Sequence, residues 1–240
     1  MNKVLMAAAV TLLFAACKKD NKQSPQKQID PPLATFKDSV SLNLDGTFYS
    51  YNDVDMIGTG NNQANLKVDS IDKTGHRYIS NDPDTLQFYR LFSLKGKSGE
   101  ISFAFFKRFA TKQLIVSHEP IGYGVLMPTD EGDLFKAGTY GFPLDYSGIN
   151  AHDGIAIALS KNIRLTSYDQ TAPGYPVVVN ADAQQKAQFK IINSQKETNG
   201  YLLEARFSMN LFEHDGTVHK VDNGYIKFRL DESPLGIFNF

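Results

Sequence analysis

The sequence predicts an all-β protein, an antiparallel β-sandwich or partly open barrel, placed behind an N-terminal segment of different character. Three observations carry this. After residue 38 apolar side chains recur with period two, Asp-Gly and Asn-Gly dipeptides fall between the alternating runs, and the 12% aromatic content is entirely Phe and Tyr. Only Ala181 to Ala187 has helical leanings, and it is too short to stand alone.

The chain opens with Lys3 and an apolar run from Val4 to Ala16 that ends in small residues before Cys17. That is the layout of a signal peptide. As a helix the run covers about 20 Å, against about 30 Å for the hydrocarbon core of a bilayer, so it is too short for a permanent span. Leu13-Phe14-Ala15-Ala16-Cys17 resembles a lipobox, with Phe14 departing from the usual Leu. The resemblance implies removal of residues 1–16 and acylation of Cys17. Two or more acyl chains hold firmly where one holds marginally. Cys17 is the single cysteine, so no intramolecular disulfide forms.

Residues 17–34 follow as the lipid-bearing cysteine and a tether. The stretch is Lys, Asp, Asn, Gln, Ser and Pro with almost nothing apolar, and it cannot bury enough surface to offset its ordering entropy. Such a tether has a mean reach of about 20 to 25 Å. The remaining residues, 35–240, read as one domain with no second linker or repeat.

Within that domain Val40, Leu42 and Leu44 alternate with polar neighbours. Asp45-Gly46 turns the chain, and Tyr49 and Tyr51 fall on the matching face if Leu44 pairs with Thr47. Leu86, Phe88, Phe92 and Leu94 share a face, the chain reverses between Lys95 and Glu100, and Ile101, Phe103 and Phe105 continue the pattern. Arg90 interrupts the apolar face and is expected near an edge or with its head turned outward. Gln113 to His118 reads as a short strand. Tyr201, Leu203, Ala205, Phe207, Met209 and Leu211 alternate strictly with mostly polar neighbours, Asp215-Gly216 and Asn223-Gly224 mark two further turns, and Ile226, Phe228 and Leu230 close a meander.

Phe135-Lys136-Ala137-Gly138-Thr139-Tyr140, then Tyr201 to Phe212, then Asn223-Gly224-Tyr225-Ile226-Lys227-Phe228 resemble a layout that recurs in Bacteroidota cell-envelope lipoproteins of unknown function. The resemblance spans at most residues 134 to 230 and implies a β-sandwich domain. Asp38-Ser39-Val40, Asp69-Ser70-Ile71 and Asp84-Thr85-Leu86 resemble the O-glycosylation sequon of that lineage, which implies sugar on Ser39, Ser70 or Thr85. Lys18-Lys19-Asp20 matches its surface-export signal in part. An outer-membrane lipoprotein on the periplasmic side or at the cell surface is therefore expected.

Chemistry is sparse. Cleavage before Cys17 removes the charge of Lys3 and takes the net charge from −1 to about −2, and no basic stripe suggests nucleic acid. No Gly-x-Ser-x-Gly occurs, Gly96-Lys97-Ser98 lacks the earlier glycine of a phosphate loop, and Pro120 breaks the zinc-protease pattern begun by His118-Glu119. His214, Asp215 and His219 form the one local gathering of potential metal ligands. Asp53 with Asp55, Asp82 with Asp84, and Glu131 with Asp133 follow no EF-hand spacing. No cofactor is expected.

The stretches Gly141 to Gly154 and Tyr168 to Pro176 read as loops, and Tyr146, Tyr168 and Tyr175 are their candidate ligand-stacking aromatics. The function expected is a non-catalytic binding or interaction module for an envelope protein or a glycan, held to the membrane by lipid. The alternatives are a surface glycan hydrolase, which needs two facing carboxylates, and a structural or adhesion component assembling through β-edges.

Overall fold

The computed structural model describes residues 37–116, 124–170, 179–198 and 200–231. Cys17, the tether, His118, Tyr123 and Tyr175 lie outside these residues, so the expected leader, lipid site and third loop tyrosine receive no structural account.

Strands β1 (Ser39–Leu44) and β2 (Thr47–Tyr51) form the expected first hairpin. Asp45 and Gly46 both have positive φ, 49° and 79°, as a two-residue hairpin turn matched to strand twist requires. Leu44 pairs with Thr47, which puts Val40 and Leu42 on one face with Tyr51 and Tyr49. Then come β3 (Asp53–Gln63), the small hairpin β4 (Lys67–Ile71) and β5 (Arg77–Ser80), and the long pair β6 (Thr85–Gly96) and β7 (Gly99–Ala110). The expected strand at 113–118 is β8 (Leu114–Val116), paired with β9 (Leu126–Pro128). Next are β10 (Gly138–Tyr140), β11 (Gly154–Ser160) and β12 (Arg164–Thr166). The chain ends in β13 (Gln188–Glu197), β14 (Gly200–Phe212) and β15 (Val218–Asp231).

One sheet runs β2-β1-β15-β14-β12-β11-β7-β6-β3, with β13 beside β14 and β10 beside β13. The two ends of this path are consecutive in the chain. Only Asn52 separates β2 from β3, and its amide donates to the Lys95 carbonyl of β6 at 3.1 Å. The sheet thus curls until its ends meet through the backbone, a half-barrel whose inner faces oppose one another as in a sandwich.

Every neighbouring pair along the path is antiparallel. Strand directions therefore alternate around it. The start of β1, the β4–β5 hairpin and strand β8 lie at one end, while the turns that follow β1, β6, β11 and β14 lie at the other.

The inner faces are filled with aromatic side chains. Phe92 of β6 stacks on Phe228 of β15 at 4.1 Å and 11° between planes, and on Phe103 at 5.2 Å. Phe105 meets Phe135 and Phe189 edge-on at 5.4 and 5.6 Å. The alternation expected in β14 is observed, with Tyr201, Leu203, Ala205, Phe207, Met209 and Leu211 all buried. Among the described residues the inner faces are packed core.

Two expectations are corrected. Arg90 neither sits at an edge nor turns outward: its side chain is 1% exposed, on the inner face between Phe88 and Phe92. The short 3-10 turn Glu131–Leu134 sends Leu134 and the following Phe135 into the same core and brings Glu131 to Arg90, with Nε and Oε2 3.6 Å apart. A buried guanidinium is tolerable here because a buried carboxylate faces it.

Asn223-Gly224 is not a turn. It lies inside β15, where Asn223 (φ 52°) forms a bulge opposite Phe207 and Met209 of β14. Positive φ serves a bulge as well as a hairpin. A Cβ on Gly224 would lie 2.3 Å from the Phe207 ring, so the glycine admits that ring.

Two measurements by chemical denaturation follow. Arg90→Met should cost about 3–5 kcal/mol by leaving Glu131 buried without its facing charge, and adding Glu131→Leu should recover part of that loss. Gly224→Ala should cost about 1–3 kcal/mol through overpacking against Phe207.

Candidate functional site

Strands β7 and β11 carry apolar residues on both faces. Inward stand Ile101, Phe103, Phe105, Ile155, Ile157 and Leu159, all buried. Outward, β11 presents Gly154, Ala156, Ala158 and Ser160, and β7 presents Ser102 and Ala104 opposite them, with Ala158 paired to Ser102 and Ala156 to Ala104. Side chains this small leave the outer face of the sheet low, while larger neighbours rise on both sides.

The result is an open groove of about 330 Å³. Its floor is Ser102, Ala104, Ala156, Ala158 and Ser160. Met56 of β3 and Leu91 of β6 form one wall, and Arg164 of β12 with Tyr168 forms the other. Tyr146 and Ser147 close one end, and Glu100 stands at the far end of β7. On the same face, between Met56 and Ser102 in register, Ser93 is fully buried with a hydroxyl that has no hydrogen-bond partner among the described residues.

Local structure sets the tyrosines. The Asp145 carboxylate accepts from the Ala151 amide at 2.7 Å and lies 3.0 Å from the His152 ring. The Asn150 side chain accepts from the Ser147 amide at 3.1 Å and donates to the Gln63 carbonyl at 3.0 Å. Leu66 donates to the Ile149 carbonyl at 2.8 Å, so the loop is tied to the segment after β3 as well as to itself. The Asp169 amide donates to the Leu144 carbonyl at 2.8 Å and binds the two tyrosine-bearing segments together.

Tyr146 consequently stacks on Phe106 at 4.5 Å and meets Tyr168 edge to face at 5.0 Å and 82°. Arg164 Nη2 donates to the Tyr168 hydroxyl at 3.3 Å. Burial, followed by the neighbouring Tyr168 and Tyr89, pushes the Tyr146 phenol far above its ordinary value. The Tyr146 hydroxyl is therefore neutral throughout the physiological range. The groove offers aromatic surface, hydroxyls, one guanidinium and one carboxylate.

Tyr146 and Tyr168, expected as loop aromatics, come together here. Arg164 and Glu100 carry no motif and were not among the expected residues. The readable signal was the run of small residues at every second position of β11, between Ile155, Ile157 and Leu159.

The potential metal ligands do not assemble. His219 lies between two carboxylates on opposite ring nitrogens, Asp45 Oδ2 at 2.7 Å from Nδ1 and Glu213 Oε1 at 2.9 Å from Nε2, so the carboxylates cannot converge on one ion. The Asp215 carboxylate accepts from the Thr217 amide within its own turn. Among the described residues no group of three His, Cys, Asp or Glu side chains is placed to hold a metal. The acidic pairs are engaged elsewhere. Asp55 meets Lys95, Asp82 accepts from Thr85 and the Asp84 amide, and Asp133 faces Lys107 while Glu131 faces Arg90.

Of the sequon hydroxyls, Thr85 donates to Asp82 at 2.8 Å and Ser39 is half-buried in paired strand. Ser70 is exposed on β4.

The chain matches no protein-family model, no curated protein and no solved structure. Fold and site together define a class: an all-β half-barrel with a filled aromatic interior and an outward groove.

Hydrogen bonds accepted by Glu213 first and Asp45 second raise the His219 pKa above 6.5, and the bond from His219 followed by that from the Lys220 amide lowers the Asp45 pKa below 3.8. A raised histidine contributes stability in full below about pH 6.5 and loses it as pH rises through the raised value. A lowered carboxylate contributes above about pH 3.9 and loses it as pH falls through the lowered value. Urea melts of wild type and His219→Gln should differ most near pH 5 to 6, and the difference should shrink as pH rises through the raised histidine value.

Proposed function

We propose that the chain is a bacterial outer-membrane lipoprotein, held through Cys17 on the periplasmic side or at the cell surface, and a non-catalytic binding module for a glycan or an envelope protein. The observation that carries the binding reading is the convergence of Tyr146, Tyr168 and Arg164 on one open groove whose opposite end bears Glu100. Aromatic faces accept the apolar face of a sugar ring or a side chain, and the guanidinium and hydroxyls supply directed hydrogen bonds. These groups stand on strands and a doubly tied loop, a rigid frame that limits the ordering cost of binding.

Glycoside hydrolysis uses two carboxyl groups flanking the bond. Among the described residues lining the groove, Glu100 is the one carboxylate. This favours binding over the hydrolase alternative. The sequence layout around Cys17 supports the membrane anchor and bears on nothing inside the groove.

The test is calorimetry and affinity electrophoresis of the mature chain against a panel of bacterial surface polysaccharides and envelope proteins. Arg164→Ala should weaken binding about tenfold, near 1.4 kcal/mol. Ala158→Leu, which fills the floor from outside the core, should weaken it further at unchanged melting temperature. Unaltered affinity in both variants would move the site elsewhere, and turnover of a glycan that is lost in Glu100→Gln would establish the hydrolase.

A further inference from the structure

Large apolar side chains are exposed unevenly. Ile71, Tyr78 and Ile79 of the β4–β5 hairpin are 57%, 52% and 50% exposed, and Ile115 and Val116 of β8 are 54% and 52% exposed. An isolated two-stranded hairpin is marginally stable in water, and β4–β5 is paired to no other strand among the described residues. Elsewhere among the described residues the exposed side chains of this kind are Val54 and Met56 near the start of β3, both less exposed, and scattered ones such as Phe48 on β2, Ile163 in the β11–β12 turn and Val218 at the start of β15.

The strand directions place both apolar elements. β3 and β7 run toward the end at which β1 begins, so the β4–β5 hairpin, which follows β3, and β8, which follows β7, project from the end where the chain enters at Lys37. The residues preceding Lys37 carry Cys17. On the anchored reading a tether of that length has a mean reach of about 20 to 25 Å, so this end is the one held near the surface that carries the lipid.

We propose that the β4–β5 hairpin and strand β8 are a membrane-contacting foot, with Ile71, Tyr78, Ile79, Ile115 and Val116 seated in the lipid interface. This rests on the anchored reading above. Lys67 opens β4, where it pairs with Asp69 at 3.6 Å, and Lys73 stands in the turn between the two strands. The foot fixes orientation: Glu100, Ser160 and Arg164 lie toward the turns at the opposite end, so that end of the groove faces away from the bilayer.

The chain contains no tryptophan, so one introduced indole reports its own surroundings. Ile79→Trp, Ile115→Trp and Ile163→Trp are each made in residues 18–240 with an N-terminal histidine tag. Lys37–Phe240 is a compact unit by itself. The chains are bound to phosphatidylcholine–phosphatidylglycerol vesicles bearing a nickel-chelating lipid, with and without dibrominated phosphatidylcholine. Emission from Ile79→Trp and Ile115→Trp should move to the blue and be roughly halved by bromine, as for a group about 5–10 Å into the interface. Emission from Ile163→Trp should be unchanged.

Absence of quenching at both foot positions in vesicle-bound protein overturns the proposal, and so does equal quenching at Ile163→Trp. Tyr78→Trp, the most conservative exchange, replaces any variant whose melting curve departs from the parent. The tag imposes the tether, so the outcome is independent of Cys17. Acylation is tested separately, by labelled palmitate whose incorporation should vanish in Cys17→Ser, and failure there removes the anchored reading while leaving the quenching result intact.

Discussion

The stack of Phe92 on Phe228 joins β6 to β15 across the curled sheet. Rings 4.1 Å apart leave no space for a guest, and Phe103 and Phe105 pack against the same Phe92 ring from β7. A sheet filled in this way commits the inner side chains of β6, β7, β11, β14 and β15 to packing. Among the described residues of the sheet, open surface is left to outward positions. Where those positions are Ala and Ser a channel opens, and where they are Phe106, Tyr146 and Tyr168 a second, smaller apolar cluster forms.

Closing one sheet on itself leaves joints where the backbone ladder is thin, and polar groups cover each of them. Between β2 and β3 the Asn52 amide reaches β6. Between β12 and β14 a single residue pair joins the strands, Thr166 with Phe212, and Gln184 spans the gap. Gln184 donates to the Ser167 and Asn210 carbonyls at 3.0 and 2.7 Å and accepts from the Asn210 amide at 3.1 Å. At the turns after β1 and β14, His219 holds Asp45 and Glu213 together. Each device supplies hydrogen bonds where backbone pairing supplies few.

Period-two patterning made the first hairpin, the long central pair and the closing strands legible. β1, β2, β6, β7, β14 and the end of β15 follow from alternation, because one face of each is buried and every second residue reports it. The curl was not legible, since it depends on which strands meet, and nothing local to Asn52 marks it as the join between β2 and β3. Asn223-Gly224 misled because a left-handed residue serves a bulge and a turn equally. Arg90 misled because its partner Glu131 is distant in sequence and sits on a 3-10 turn. Of the groove, Tyr146 and Tyr168 were readable as loop aromatics. Arg164 and Glu100 acquire meaning only through strand register. Ala181 to Ala187, with helical leanings but too short to stand alone, contains the short 3-10 turn Ala181–Gln184, whose last residue bridges the thin joint.

Strand β1 also has a mechanical meaning. It is the first strand after Lys37 and is paired on both sides, by β2 from Val40 to Leu44 and by β15 from Ser39 to Leu44. Interstrand hydrogen bonds lie across the strand axis. A pull on Lys37 directed along β1 therefore loads those bonds together, in shear, and does not peel them one by one. A load arriving through the N-terminal segment meets the fold along the axis on which a strand resists best.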